Sequence, residues 1–126
     1  MNYELINKEN INILVYNISK LDATLNEALQ ELASITIQST KSLILDFKNV
    51  EELSSDFAKK IIDVHHFIYE NNQSFVCCNL NNACALVLKE IDADKILHLV
   101  PKQLEAIDMV SMEGLERELL GGDELF

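Results

Sequence analysis

A chain of 126 residues accommodates one domain, and 48% hydrophobic with 25% charged residues is a globular rather than a disordered composition. With 10 basic against 21 acidic residues the formal net charge is -11, which repels phosphate backbones and sets nucleic acid aside as a partner. Met1 to Ile6 carries neither the basic nor the apolar region of a secretory signal, no apolar run nears the ~18 residues that would insert into a membrane, and three cysteines make no disulfide framework. The expected location is cytoplasmic.

Tyr3 to Ile6 and Ile11 to Ile18 read as two strands around the polar stretch Asn7–Asn10, a hairpin signal. In the second strand Ile11, Ile13 and Val15 face one side and Leu14, Tyr16 and Ile18 the other, as in an interior strand covered on both faces. Leu21, Leu25, Ala28, Leu29 and Leu32 recur at helical spacing, with Ser19 or Asp22 available as N-cap. Leu43–Phe47 is a short buried-strand run with Asp46 near its carboxyl end, the sheet-edge position. Phe57, Ile61, Val64, His65 and Ile68 then form a helical stripe, and Ser54 or Ser55 is its N-cap.

Phe75–Cys78 is a further strand, followed by Asn81 as cap and a helix along Cys84, Val87, Leu88 and Ile91. Ile96–Val100 reads as the last strand. Pro101 suits the first turn of a final helix, whose buried face is assigned to Leu104, Ile107 and Val110. The order predicts an α/β single domain: a hairpin, then alternating helices and strands on a mixed sheet, with four main helices. Residues 1–111 form the domain. Residues 112–126, with five acids against Arg117 alone, form an acidic C-terminal helix or tail, and Gly121-Gly122 would stop a helix there.

The three glycines, Gly114, Gly121 and Gly122, open no helix after a strand, so a phosphate-cradling loop is not expected, and no cofactor is implied. His65, His66, His98, Cys77, Cys78 and Cys84 have ligand chemistry but no C-x-x-C or H-x-x-x-H spacing. Cys77 and Cys78 fall on opposite faces of a strand, Cys84 on a buried stripe, and His65 and His66 on opposite helix faces. Reduced, mostly buried cysteines and no metal are expected. The acidic pairs Glu51-Glu52 and Asp92/Asp94 lie in loops, and no nucleophile–base arrangement accompanies them, so an enzyme is not expected.

The segment Asp46 to Ala58 is the most informative. A buried strand ends in an acid, a tight loop follows, and Ser54-Ser55-Asp56 opens a helix at the carboxyl edge of the sheet, where α/β proteins place binding surfaces. The free N–H groups and positive dipole end there suit an anion or a phosphorylated hydroxyl. The same residues also serve as a plain N-cap with a favourable first-turn charge.

This segment resembles the STAS domain of bacterial anti-sigma-factor antagonists, in which an apolar strand ends in Asp, a Val follows, and Asp-Ser-Ser-Gly opens a helix. Leu43–Asp46 is similar to that strand, Val50 to that Val, and Leu53-Ser54-Ser55-Asp56-Phe57 covers the helix start. The similarity extends to Leu21-Asp22-Ala23, Asn79-Leu80-Asn81 and Leu88–Leu97, and so over about residues 3 to 110. Counted from Val50, Asp56 falls on the phosphorylated Ser and Phe57 on the Gly; shifted by one, Ser55 takes the phosphorylated position. Ser-Ser-x-Phe also resembles a STAS-like variant motif. The resemblance implies a non-enzymatic, partner-switching regulator with Ser54, Ser55 and Asp56 at the phosphoacceptor position and Val50, Leu53, Phe57, Lys60 and Ile61 as the partner-binding surface. The implied partner is an ATPase-type anti-sigma factor or kinase, with a homodimer left open. The alternative is a docking or sensory subunit of a transport or signalling complex.

Overall fold

A computed structural model describes residues 2–122. The strands are β1 (Tyr3–Asn7), β2 (Ile11–Tyr16), β3 (Lys20–Leu21), β4 (Ser42–Asp46), β5 (Glu52–Leu53), β6 (Phe75–Cys78) and β7 (His98–Val100). The helices are α1 (Asn26–Gln38), α2 (Ser55–Glu70), α3 (Asn82–Glu90) and α4 (Gln103–Gly122). Five strands form one mixed sheet in the order β1-β2-β4-β6-β7, with β1 antiparallel to β2 and the other pairs parallel. The hairpin, the alternation and the four helices are those the sequence predicts.

Every residue of β2, β4 and β6 is buried, because helices cover both faces of the sheet. Leu14, Leu43, Leu45 and Cys77 point to the face covered by α1, α2 and α3, where Leu29, Phe57, Ile61 and Leu88 complete the larger core. Ile13, Val15, Ile44 and Cys78 point the other way, toward Ala106 and Val110 of α4. The two cysteines are therefore separated by the sheet, as the period of two demands. Cys77, Cys78 and Cys84 are all buried free thiols. Burial raises each thiol's pKa, that of Cys78 to about 12 with help from the Asp46 carboxylate, so none is poised as a nucleophile at neutral pH.

The structure departs from the expected elements in five places. Leu21 belongs to no helix: it pairs in parallel with Leu53, forming a separate two-stranded sheet of β3 and β5. Asp22, in extended conformation, then caps a 3₁₀ turn over Ala23–Leu25 that leads into α1. The last strand begins at His98 rather than Ile96, because the N–H groups of Ile96 and Leu97 are used by the carbonyl of Ala93 in a tight turn. Pro101 lies two residues before α4, where its carbonyl accepts the N–H of Asn79 at 3.1 Å. Leu104 is exposed, since α4 seats Ala106 and Val110 on the sheet and turns Leu104 to solvent. The β2 ladder also stops at Tyr16, leaving Ile18 packed against the core from outside it.

Helix α4 runs without interruption through Met112 to Gly122; Asp123 and Glu124 of the acidic segment lie outside the described residues. Its middle is tied to the domain by polar contacts. Glu113 accepts from the Tyr69 hydroxyl at 2.7 Å and lies 2.9 Å from His98 Nδ1, while Arg117 donates to the Ser74 hydroxyl at 3.0 Å. His65 is buried and stacks on Tyr69 with ring centroids 4.5 Å apart, whereas His66 is exposed. Among the described residues no helix is long and apolar enough to cross a membrane.

Candidate functional site

The carboxyl ends of β4, β6 and β7 lie along one edge of the sheet, and the chain returns there to begin α2, α3 and α4. Asp46, the last residue of β4, is buried at this edge and fully engaged. Its Oδ1 accepts from the Lys48 backbone N–H at 2.9 Å and from Asn79 Nδ2 at 3.1 Å, and its Oδ2 from Gln103 Nε2 at 2.9 Å. A buried carboxylate is tolerated only when it is bonded in this way. Asp46 thus fastens the loop after β4 to the loop after β6 and to the start of α4. It shares a sheet face with Ile44, opposite the face covered by α2. The structure therefore gathers Asp46 and the α2 start at one edge, but on different faces.

The loop from Phe47 to Glu51 is held from both sides. Val50 N–H donates to the Phe47 carbonyl at 2.9 Å, and Asn81 Nδ2 donates to the carbonyls of Val50 and Glu51 at 3.3 and 3.2 Å. The same Asn81 caps α3 by accepting from Cys84 N–H at 2.8 Å, so one side chain sets a helix start and a loop together. Asn79 adopts a left-handed conformation, φ 59°, which asparagine tolerates better than most residues. Between these loops lies an open polar groove of about 520 Å³ lined by Lys48, Asn49, Glu51, Asn79, Asn81 and neighbouring residues.

Beside this groove α2 begins. Ser54 is extended, its N–H donates to the Leu21 carbonyl at 2.9 Å, and its hydroxyl accepts from Phe57 N–H at 3.1 Å. Ser54 is the N-cap. Ser54→Ala is expected to cost about 1 kcal/mol, read as a shift of the urea midpoint with unchanged slope; a change below a few tenths would show that the cap contributes nothing. Ser55 and Asp56 are the first two helical residues, and both are exposed. Their N–H groups stand in the first turn, where no intrahelical acceptor is available, and Asp56 places a negative charge at the positive dipole end. Lys59 and Lys48 are exposed nearby in the sequence.

The residues assigned to partner contact divide differently from the expectation. Val50, Leu53, Phe57 and Ile61 are 3%, 6%, 0% and 0% exposed and belong to the larger core. They cannot touch a partner without unfolding the site: Phe57 and Ile61 belong to the stripe that seats α2 on the sheet, and Val50 and Leu53 are buried in the segment that leads into it. Lys60 is half-buried and donates to Gln30 of α1 at 2.9 Å. Exposed in the same stretch of chain are Ser55, Asp56 and Lys59 on α2 and Lys48, Asn49 and Glu51 on the loop. Gln103 had no motif to announce it; Lys48 and Asn49, like Asn79 and Asn81, stood in segments already singled out, without a role assigned to them. No group of three His, Cys, Asp or Glu residues able to hold a metal exists among the described residues.

No family model and no curated protein matches the sequence. Solved structures do. A candidate anti-sigma factor antagonist of Thermotoga maritima superposes with TM-score 0.75 at 18% identity, over 86% of this chain and 94% of that one. An anti-sigma-factor antagonist (STAS) domain protein of Planctomyces limnophilus gives TM-score 0.71 at 18% identity, over 86% and 96%. The anti-sigma factor antagonist SpoIIAA in its unphosphorylated form gives TM-score 0.71 at 14% identity, again over 86% and 96%. The chain has the STAS fold over most of its length.

Proposed function

We propose that this protein is a non-enzymatic, cytoplasmic regulator of the anti-sigma-factor antagonist type, which binds an ATPase-type anti-sigma factor or kinase through the start of α2 and the adjoining groove. The observation that supports it is the pairing of exposed Ser55 and Asp56 at an otherwise capped helix start with a rigidly braced groove at the same sheet edge. The STAS-fold proteins it resembles are named as antagonists of anti-sigma factors, one of them specifically in its unphosphorylated form. Ser54 is committed to capping, so Ser55 is the serine left to accept a phosphoryl group. Asp56, exposed beside it, carries a permanent single charge where phosphoserine would carry about -1.5 to -2.

The test is calorimetric affinity for the ATPase-type anti-sigma factor of the same genome, using wild type, Ser55→Ala, Asp56→Ser and Asp56→Lys. Charge reversal at Asp56 is expected to weaken binding by about tenfold or more, equivalent to roughly 1.4 kcal/mol, with Asp56→Ser intermediate. Kinase treatment is expected to modify Ser55 and not Ser54. Equal affinity across all four proteins would reduce Ser54-Ser55-Asp56 to an ordinary helix cap.

A further inference from the structure

Helix α4 presents two unlike faces. Ala106 and Val110 lie on the sheet, and Glu113 and Arg117 are held by Tyr69, His98 and Ser74, so the helix cannot roll about its axis. Its opposite face carries Leu104, Met112, Leu115 and Leu119, which are 69%, 63%, 56% and 65% exposed. Met112, Leu115 and Leu119 are spaced by three and four and form one stripe about 10 Å long, and Leu104 stands on the same helix face three turns before Leu115, beyond the exposed Asp108. Single exposed leucines need no explanation, whereas a contiguous stripe does.

The charges beside the stripe are acidic. Glu105, Asp108, Glu116 and Glu118 are exposed, and Arg117, the one basic residue between Gln103 and Gly122, is turned inward to Ser74. That border decides among occupants. A second copy would set these acids against their own equivalents, in a chain already at net charge -11, and an anionic membrane surface would be repelled in the same way. A helix with a complementary apolar stripe and basic flanks would bury the leucines and neutralise the acids together.

We propose that the outer face of α4 docks an amphipathic helix of a second protein whose apolar stripe is bordered by lysines or arginines. This surface lies on the sheet face opposite α2, and the inference does not depend on the function proposed for the α2 start.

The experiment uses two synthetic helical peptides of about five turns that share one leucine stripe, one flanked by lysines and the other by glutamates. Each is titrated by fluorescence anisotropy, at physiological salt, into the full chain and into three variants: Leu115→Gln/Leu119→Gln, Glu116→Gln/Glu118→Gln and Ile35→Gln. Ile35 is an exposed apolar residue of α1 and serves as the control. Saturable binding of the lysine peptide alone is expected, weakened about tenfold by the leucine pair, severalfold by the glutamate pair, and unchanged by Ile35→Gln. Circular dichroism is expected to show all variants folded, since every substituted position is exposed. Equal binding of both peptides, or full retention in the leucine variant, overturns the proposal. So does a dimer in sedimentation that the leucine variant abolishes, or binding to phosphatidylserine vesicles that it abolishes, because the stripe would then serve a second copy or a membrane.

Discussion

Phe57→Ala is expected to destabilise the domain by about 3–5 kcal/mol, although Phe57 stands only two residues from the exposed Ser55. Its ring is fully buried, meets Tyr16 edge-on with centroids 6.0 Å apart, and fills the space between the first turn of α2 and the sheet. Truncation would leave a cavity in the larger core at the point where α2 is seated, and would remove an aromatic pair worth about 0.5–1.5 kcal/mol beyond area burial. Urea unfolding would register this as a lower midpoint at unchanged slope. Phe57→Leu, which keeps most of the volume, is expected to cost about 1–1.5 kcal/mol. A loss below about 1 kcal/mol for the alanine variant would mean that the site collapses around the gap and that Phe57 is not a core anchor. Any effect of Phe57→Ala on partner binding should follow the folded fraction and disappear under conditions where the variant is fully folded.

Acidification from about pH 6.5 to about 4 is expected to remove stability through His65. Burial lowers its pKa from the ordinary 6.5 to about 4, with further lowering from His98 and then His66, and a smaller opposing effect of Glu113. Among the described residues its Nδ1 has no hydrogen-bond partner, so nothing in the fold is arranged to hold a proton there. The unfolded chain takes up that proton as pH falls through 6.5, whereas the folded chain declines it until about 4. The unfolded state therefore binds more protons across this window, and stability is complete above it, falls within it and levels below it. The loss is on the order of 3 kcal/mol. His65→Leu removes the titration while retaining an apolar side chain, so its stability profile should be flatter than wild type by that amount. Carboxylates remote from His65 contribute acid dependence to both proteins and cancel in the comparison. Parallel profiles for the two proteins would show that His65 does not carry the effect.

Much of the architecture was legible because its signals are periodic. The alternation in Ile11–Tyr16 assigns Ile13 and Leu14 to opposite faces, and each joins the core so assigned. The spacing of Phe57, Ile61, Val64 and Ile68 places α2 with its inner face correct, and Ser54 and Asn81 cap the helices they announce. Periodicity misled where it continued by coincidence. Leu21 keeps helical register with Leu25 yet pairs with Leu53, and a two-residue strand has no period to detect. Leu104 sits eleven residues, three full turns, ahead of the exposed Leu115 rather than in line with Ala106 and Val110.

The candidate site was legible in place and not in detail. Its location follows from a strand ending in Asp46 and a helix opening with Ser54-Ser55-Asp56, and the structure puts both at one sheet edge. Of the residues assigned to contact from the resemblance, Val50, Leu53, Phe57 and Ile61 are apolar, the kind of residue folding buries first. The Asp46–Gln103 link was invisible, because a single polar residue says nothing about a partner 57 positions away.

The two faces of the sheet are completed at different moments of synthesis. On one face each cover follows its strands closely: α1 after β2, α2 after β4 and α3 after β6. On the other, Ile11, Ile13, Val15, Ile44, Val76 and Cys78 all emerge before α4, the one helix among the described residues that covers them. A nascent chain that has paired its strands therefore carries a finished side and a bare apolar side, and transient exposure of that kind is what makes incomplete chains stick to one another. Helix α4 is in this sense an internal chaperone for the sheet, since its arrival is the step that covers the bare side.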